Sequence, residues 1–168
     1  MTEYNLDIYQ KVFTKILNLL SFKPRTEKEV KDRLRSYVDK ERIPASEKDL
    51  LFDTILARLK EDKYLDDKKT AQLYAESFLN NPKSRSIKKF QMALKKKGFS
   101  AQDIDRSVGM LPPGIEEAGA MKEAKKKLIS LKNQSLFVKK AKISNFLYSK
   151  GYAGSTIKAV VDTLLSLQ

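Results

Sequence analysis

Two adjacent carboxylates, Asp66 and Asp67, and a dense set of lysines are the residues whose types and spacing could do chemistry in this 168-residue sequence. A carboxylate pair serves general acid/base work or metal binding when a histidine or further acids converge on it. The sequence contains no His and no Cys, which removes the usual imidazole and thiolate partners, disulfides and thiol chemistry together. One carboxylate just before a helix is explained by N-capping, where it accepts an orphan backbone amide. Lysines do covalent work when burial depresses their pKa, whereas these fall on arcs opposite apolar stripes and face solvent. Clustered glycines before a helix, a Ser paired with a base, and a Tyr among arginines are all missing. The sequence reads as a non-enzyme with no cofactor and no metal, whose lysines bind a partner.

The lysines are unevenly placed. Residues 1–82 hold 16 Lys/Arg and 15 Asp/Glu, and residues 83–168 hold 18 and 6, so the second half carries +12 of the net +13. Such a one-sided field favours a polyanion. The cations expected to face it are Arg85, Lys88, Lys89, Lys95 and Lys96, joined by Lys125, Lys126, Lys139 and Lys142. Lys-rich faces that merely confer solubility are the alternative, and concentration in one half argues against it.

These cations need helices to array them. Residues 88–108 read KKFQMALKKKGFSAQDIDRSV and residues 141–161 read AKISNFLYSKGYAGSTIKAVV. Shifted by 53 residues, Phe90, Leu94, Gly98, Phe99, Ile104 and Val108 fall on Ile143, Leu147, Gly151, Tyr152, Ile157 and Val161. A looser first copy starts at Glu29, with the longer connection Asp39–Asp49 in place of the Gly-aromatic stop. A period near 50 residues accommodates three helices per unit. The expected fold is all-α: three tandem three-helix, helix-turn-helix-like modules at 1–63, 64–113 and 114–168, forming an elongated, curved molecule.

Nine helices are expected from apolar periodicity and end signals. The first spans Ile8 to Leu20. The second follows a Thr26/Glu29 capping box and runs to about Tyr37 with Val30 and Leu34 inward. The third starts after Ser46, with Asp49 three residues on, and carries Leu51, Ile55 and Leu59. In the second module, Asp66 or Asp67 caps a helix containing Leu73, Tyr74, Phe78 and Leu79, closed by Asn81-Pro82. Next comes Ser84 to Lys97, which turns Ile87, Phe90 and Leu94 inward and its cations outward. Gly98-Phe99 and Gly151-Tyr152 read as left-handed helix stops. Ser100 and Asp103 cap a short helix with Ile104, Val108 and Leu111, and Pro112-Pro113-Gly114 marks a module boundary. The third module holds Ala118 to Leu131, Leu136 to Lys150 and Ser155 to Leu167.

Three phrases carry a family resemblance. LLSFKPRTEKEVKDRL at 19–34, ILARLKEDKYLDDKKTAQLYAESF at 55–78 and SIKKFQMALKKKGFSAQDI at 86–104 resemble, in order, the helix-turn-helix phrase, the Tyr-Leu-Asp-Asp junction and the basic-Gly-aromatic phrase of the RecX family of RecA regulators. The resemblance runs from about Ile8 to the end of the sequence. It implies a protein that binds the RecA–single-stranded DNA filament in its groove and restrains recombinase and ATPase activity, with the nine cations named above as docking charges. Single-stranded or duplex DNA is the further partner it admits, bound without sequence preference. The longer first connection around Asp39 to Ser46 departs from the pattern.

A sequence-specific DNA-binding regulator would need Arg, Asn or Gln on the second helix of each pair. Residues 103–111 (DIDRSVGML) and 156–167 (TIKAVVDTLLSL) are mostly apolar with acids, which leaves nonspecific phosphate contact through lysine. A generic helical adaptor fits the repeats and leaves the charge asymmetry unexplained. The N-terminus lacks a signal-type apolar core and no stretch approaches the roughly 18 apolar residues that span a bilayer. A cytoplasmic monomer without membrane contact is expected.

Overall fold

Apolar residues four apart recur along this chain, and the structure, a computed structural model that describes residues 3–80 and 86–166, turns them into helix faces. Among the described residues the order is α1 (Glu3–Phe22), α2 (Glu27–Val38), α3 (Ala45–Glu61), α4 (Asp67–Leu79), α5 (Ile87–Lys97), α6 (Ala101–Gly109), α7 (Ile115–Ile129), α8 (Leu136–Ser149) and α9 (Gly154–Ser166), with no strand. Contacts group the chain into two compact units, one of residues 1–73 with 97–103 and one of residues 74–96 with 104–168.

In the first unit each helix gives one stripe to a shared core. Ile8, Val12 and Ile16 of α1 meet Val30, Leu34 and Val38 of α2 and Leu51, Ile55 and Leu59 of α3. The capping box forms as expected, Thr26 accepting from the Glu29 amide at 3.1 Å and the Glu29 carboxylate accepting from the Thr26 amide at 3.2 Å. The third helix begins earlier than expected, at Ala45. Pro44 is its N-cap, without a side-chain cap bond because a proline ring carries no acceptor, and its carbonyl accepts from the Glu47 and Lys48 amides. Asp49, freed from that role, pairs with Arg35 at 2.8 Å. α3 stops without glycine: Lys63 takes φ 58° and the Tyr64 amide reaches back to the Leu59 carbonyl at 2.9 Å.

The adjacent carboxylates part company. Asp66 caps α4, accepting from the Lys69 amide at 2.9 Å, whereas Asp67 accepts from the Glu27 amide at 2.8 Å and caps α2. The α5 end sits in the same place. Thr26 donates its hydroxyl to the Lys97 carbonyl at 2.7 Å, and the Lys97 ammonium reaches Glu29 at 2.6 Å. Gly98 follows with φ 89°, and a Cβ on it would strike the Lys28 side chain. The stop is thus glycine for two reasons, a left-handed backbone and a close approach.

The second unit buries Ala120 and Ala124 of α7, Ile143 and Leu147 of α8, and Ile157, Val160, Val161 and Leu164 of α9, with Leu131 and Tyr152 from the connections. α7 starts at Ile115, three residues before the expected Ala118, because Gly114 at φ 77° turns the chain directly into it. α8 runs from its Ser135 cap as expected, and α9 opens at Gly154. The fifth helix starts at Ile87 rather than Ser84. Ser86 is its cap, accepting from the Lys89 amide at 3.2 Å, while Ser84, Asn81 and Pro82 lie outside the described residues. α5 buries Phe90 and Leu94, and Phe90 packs on Phe78 of α4 with ring centroids 4.6 Å apart.

Two stripes differ from expectation. α4 turns Thr70, Ala71 and Ala75 inward and leaves Leu73 and Leu79 exposed, since its packed face is the one lined with small side chains. α6 buries Ile104 and Ser107, with Val108 only half-buried, and Leu111 is buried beyond the helix end.

Candidate functional site

The expected docking cations all belong to the second unit, where Lys/Arg outnumber Asp/Glu by 17 to 6. Arg85 lies outside the described residues. At 100° per residue, Lys88, Lys89, Lys95 and Lys96 share the arc of α5 opposite Phe90 and Leu94, and all four are exposed. Met92, 62% exposed, stands at the centre of that arc. Lys125 and Lys126 are exposed on α7; on α8 Lys142 is exposed and Lys139 half-buried.

Their commitments differ. Lys89 donates to the Ser149 carbonyl at 3.1 Å, a cation at the negative end of α8. That bond gives it a structural role which the periodicity of α5 could not reveal. Lys126 stands 3.9 Å from Glu123, and Lys139 has a contact within the fold. Lys88, Lys95, Lys96, Lys125 and Lys142 have no ion-pair or hydrogen-bond partner among the described residues. These five are the cations free to meet an external anion.

A joint brings three helices to one corner of this unit. Ser86 donates to the Lys150 carbonyl at 3.2 Å, and Glu116 accepts from the Ile87 amide at 3.3 Å. Gly151 sits at φ 88°, and a Cβ on it would come 2.8 Å from Ser86 Oγ. The Lys150 ammonium lies 3.6 Å from Glu123 and 5.2 Å from the Phe146 ring centroid, with Lys127 also over that ring at 5.6 Å. The start of α5, the first half of α7 and the end of α8 therefore converge, with Glu116 at the Ile87 amide, Lys89 on the Ser149 carbonyl, and Lys126 and Lys150 beside Glu123. Lys139 and Lys142 lie about two turns or more up α8 from that corner.

Sequence periodicity did not single out Lys150, nor two aromatic side chains of α8 that project outward, Phe137 and Tyr148. The helices that a base-reading protein would present are instead used for packing. α9 buries Thr156, Ile157, Val160, Val161 and Leu164. The paired carboxylates are likewise occupied at helix starts, and burial, ahead of its charged neighbours, raises the Asp67 carboxyl above its ordinary value. Among the described residues no helix is long and apolar enough to cross a membrane.

Comparison with known proteins bears on this surface. The family model for the third three-helix domain of RecX matches residues 115–161. Regulatory protein RecX of Oceanobacillus iheyensis is 29% identical over 159 residues, covering 94% of this chain and 55% of that protein. Regulatory protein RecX of Leuconostoc mesenteroides is 30% identical over 161 residues, covering 95% and 57%. The chain thus spans little more than half the length of these relatives. Among solved structures, a regulatory protein RecX aligns with a TM-score of 0.77 and 23% identity, over 95% of this chain and 74% of that one. RecX from Lactobacillus salivarius aligns with a TM-score of 0.78 and 24% identity, over 95% and 97%.

Proposed function

The chain belongs to the RecX family, and from that premise we propose that it is a negative regulator of RecA. In this reading it docks on the RecA–single-stranded DNA filament, in its groove, and inhibits recombinase and ATPase activity. It acts as a cytoplasmic monomer and as a binding protein rather than an enzyme, with the modules 1–63, 64–113 and 114–168 as its repeating parts. The observation that carries the reading is the set of unpaired, exposed lysines on the outward arc of α5, within a unit of strong positive excess. Exposed charges with no internal partner cost nothing in the fold to engage and release counterions when they meet a polyanion.

Lys88, Lys95 and Lys96 carry the docking on α5, helped by Lys125 and Lys142, while Lys89 holds α5 to α8. The test is inhibition of RecA's DNA-dependent ATPase across a salt series. Lys88→Glu/Lys95→Glu/Lys96→Glu should lose most inhibition at low salt and show a shallower salt dependence, with helicity unchanged because all three side chains oppose the core stripe. Undiminished inhibition by that variant removes this surface from the mechanism. A wild-type chain that inhibits nothing and yet binds naked duplex and single strand alike would instead make it a nonspecific DNA-binding repeat protein, and one that binds neither would make it an adaptor.

A further inference from the structure

α8 differs from its repeat counterpart α5. It is 14 residues long against 11, with the extra turn at its start. Ile143 and Leu147 point into the core. On an adjoining face Phe137, Ala141, Ser144 and Tyr148 follow one another at i, i+4, i+7 and i+11, a single stripe of a helix. Phe137 is 83% exposed and Tyr148 77%. Neither ring stacks on another ring or carries a cation among the described residues.

The repeat register makes this stripe informative. The 53-residue shift places Ala141, Ser144 and Tyr148 on Lys88, Gln91 and Lys95 of α5. The buried Val30 and Leu34 align with Phe90 and Leu94, which puts Lys28, Lys31 and Arg35 at the same positions of α2. The α5 copy thus presents Lys88 and Lys95 on this stripe, the α2 copy uses Lys31 and Arg35 to pair with Glu27 and Asp49, and the third presents two aromatic rings with a small-residue floor between them. At 1.5 Å per residue the rings are about 16 Å apart. Of the α8 cations, Lys140 stands beside that stripe and reaches Asp162 at 2.8 Å with its side chain still 60% exposed, whereas Lys142, exposed and unpaired, leaves the helix on another side.

We propose that the outward face of α8 is a stacking platform for single-stranded nucleic acid, with Phe137 and Tyr148 each receiving one base and Lys140 meeting an intervening phosphate. An apolar peptide would want a contiguous greasy stripe, whereas here the rings are separated by Ala141 and Ser144. A duplex keeps its base faces covered and leaves the rings without a partner. A single strand matches separated π-faces in a positive field, and it does so without reading sequence. The inference extends the polyanion reading of this unit but does not depend on RecA.

The test uses the full chain without RecA, and anisotropy of a labelled oligothymidine and of a duplex of equal length, across a salt series. Phe137→Ala/Tyr148→Ala should weaken strand binding at least tenfold with the salt slope unchanged, and leave duplex binding as it was. Phe137→Trp/Tyr148→Trp should restore it. Equal strand affinity in wild type and the alanine variant, an equal loss on strand and duplex, or no strand binding by the wild type overturns the platform. So does an alanine variant whose only change is in sedimentation, which would make this face a protein contact. A wild type that inhibits RecA's ATPase through the α5 lysines without binding naked strand would defeat the platform and leave the docking reading intact.

Discussion

Tyr152 carries a hydroxyl that folding buries without a hydrogen-bond partner among the described residues. Burial first, and then the nearby Glu123 and Glu116, pushes its pKa up to about 12. A buried donor left unsatisfied weighs against the apolar contacts made by the rest of the ring. Phe99 holds the same place in the second copy and is buried without that group. Tyr152→Phe should therefore leave stability unchanged or raise it by up to about 1 kcal/mol, read from the urea midpoint; a clear loss would mean that the hydroxyl has a partner. The neighbouring glycine stops act through backbone. Gly98→Ala should cost about 1–2 kcal/mol for the left-handed conformation, with a further cost as Lys28 gives way. Gly109→Ala is the control, since a Cβ there meets nothing and its φ is not left-handed. Equal midpoints for the two glycine variants would contradict this account of the stop.

The start of α2 shows how one element's end is satisfied by another. Thr26, Glu29, Asp67 and Lys97 close a hydrogen-bonded node on amides and carbonyls that no helix satisfies alone. Its two carboxyls titrate in opposite directions. For Glu29, burial is the largest influence and raises the pKa, but Lys97 and the Thr26 amide together outweigh it, and the net position is below the ordinary 4.5. A lowered carboxylate adds stability that is present above the unfolded value and lost as pH falls through the folded one. Asp67, raised above its ordinary 3.8, does the reverse, weakening the fold as pH rises through its window. Glu29→Gln should consequently be destabilising at neutral pH and converge on wild type below about pH 4, a range taken from that ordinary carboxylate value. Chemical denaturation at stepped pH measures it, and a constant offset between the two curves would show that Glu29 acts by packing rather than charge. Ser86, Glu116 and Lys150 repeat the arrangement at the start of α5, with Glu116 raised chiefly by burial.

Across the whole chain the charge divides as the units do, with 17 Lys/Arg and 15 Asp/Glu in the first unit against 17 and 6 in the second. Lys68→Glu/Lys69→Glu, exposed cations of the balanced unit, should accordingly leave ATPase inhibition and its salt dependence close to wild type where the α5 triple variant loses both. Lys11 and Lys15 would serve less well, since Lys11 is held by the buried Glu41 at 2.8 Å and Lys15 lies over Tyr37. Much of this was legible without coordinates. The four-residue recurrence of Val30 and Leu34, Phe90 and Leu94, Ile143 and Leu147 by itself determined the helices and their inward faces, because periodicity is a local property of the chain. The Thr26 box and the left-handed Gly98 and Gly151 were equally local, and so was the charge excess. Only the tertiary structure decided that Asp67 caps α2 instead of its own helix, that Lys89 is spent on the Ser149 carbonyl, that α4 packs through Ala71 and Ala75, and that Phe137 and Tyr148 stay in solvent. Each of those outcomes depends on which neighbour arrives at a helix end or face, and the periodicity of one helix records what that helix can bury or cap without recording what comes to meet it.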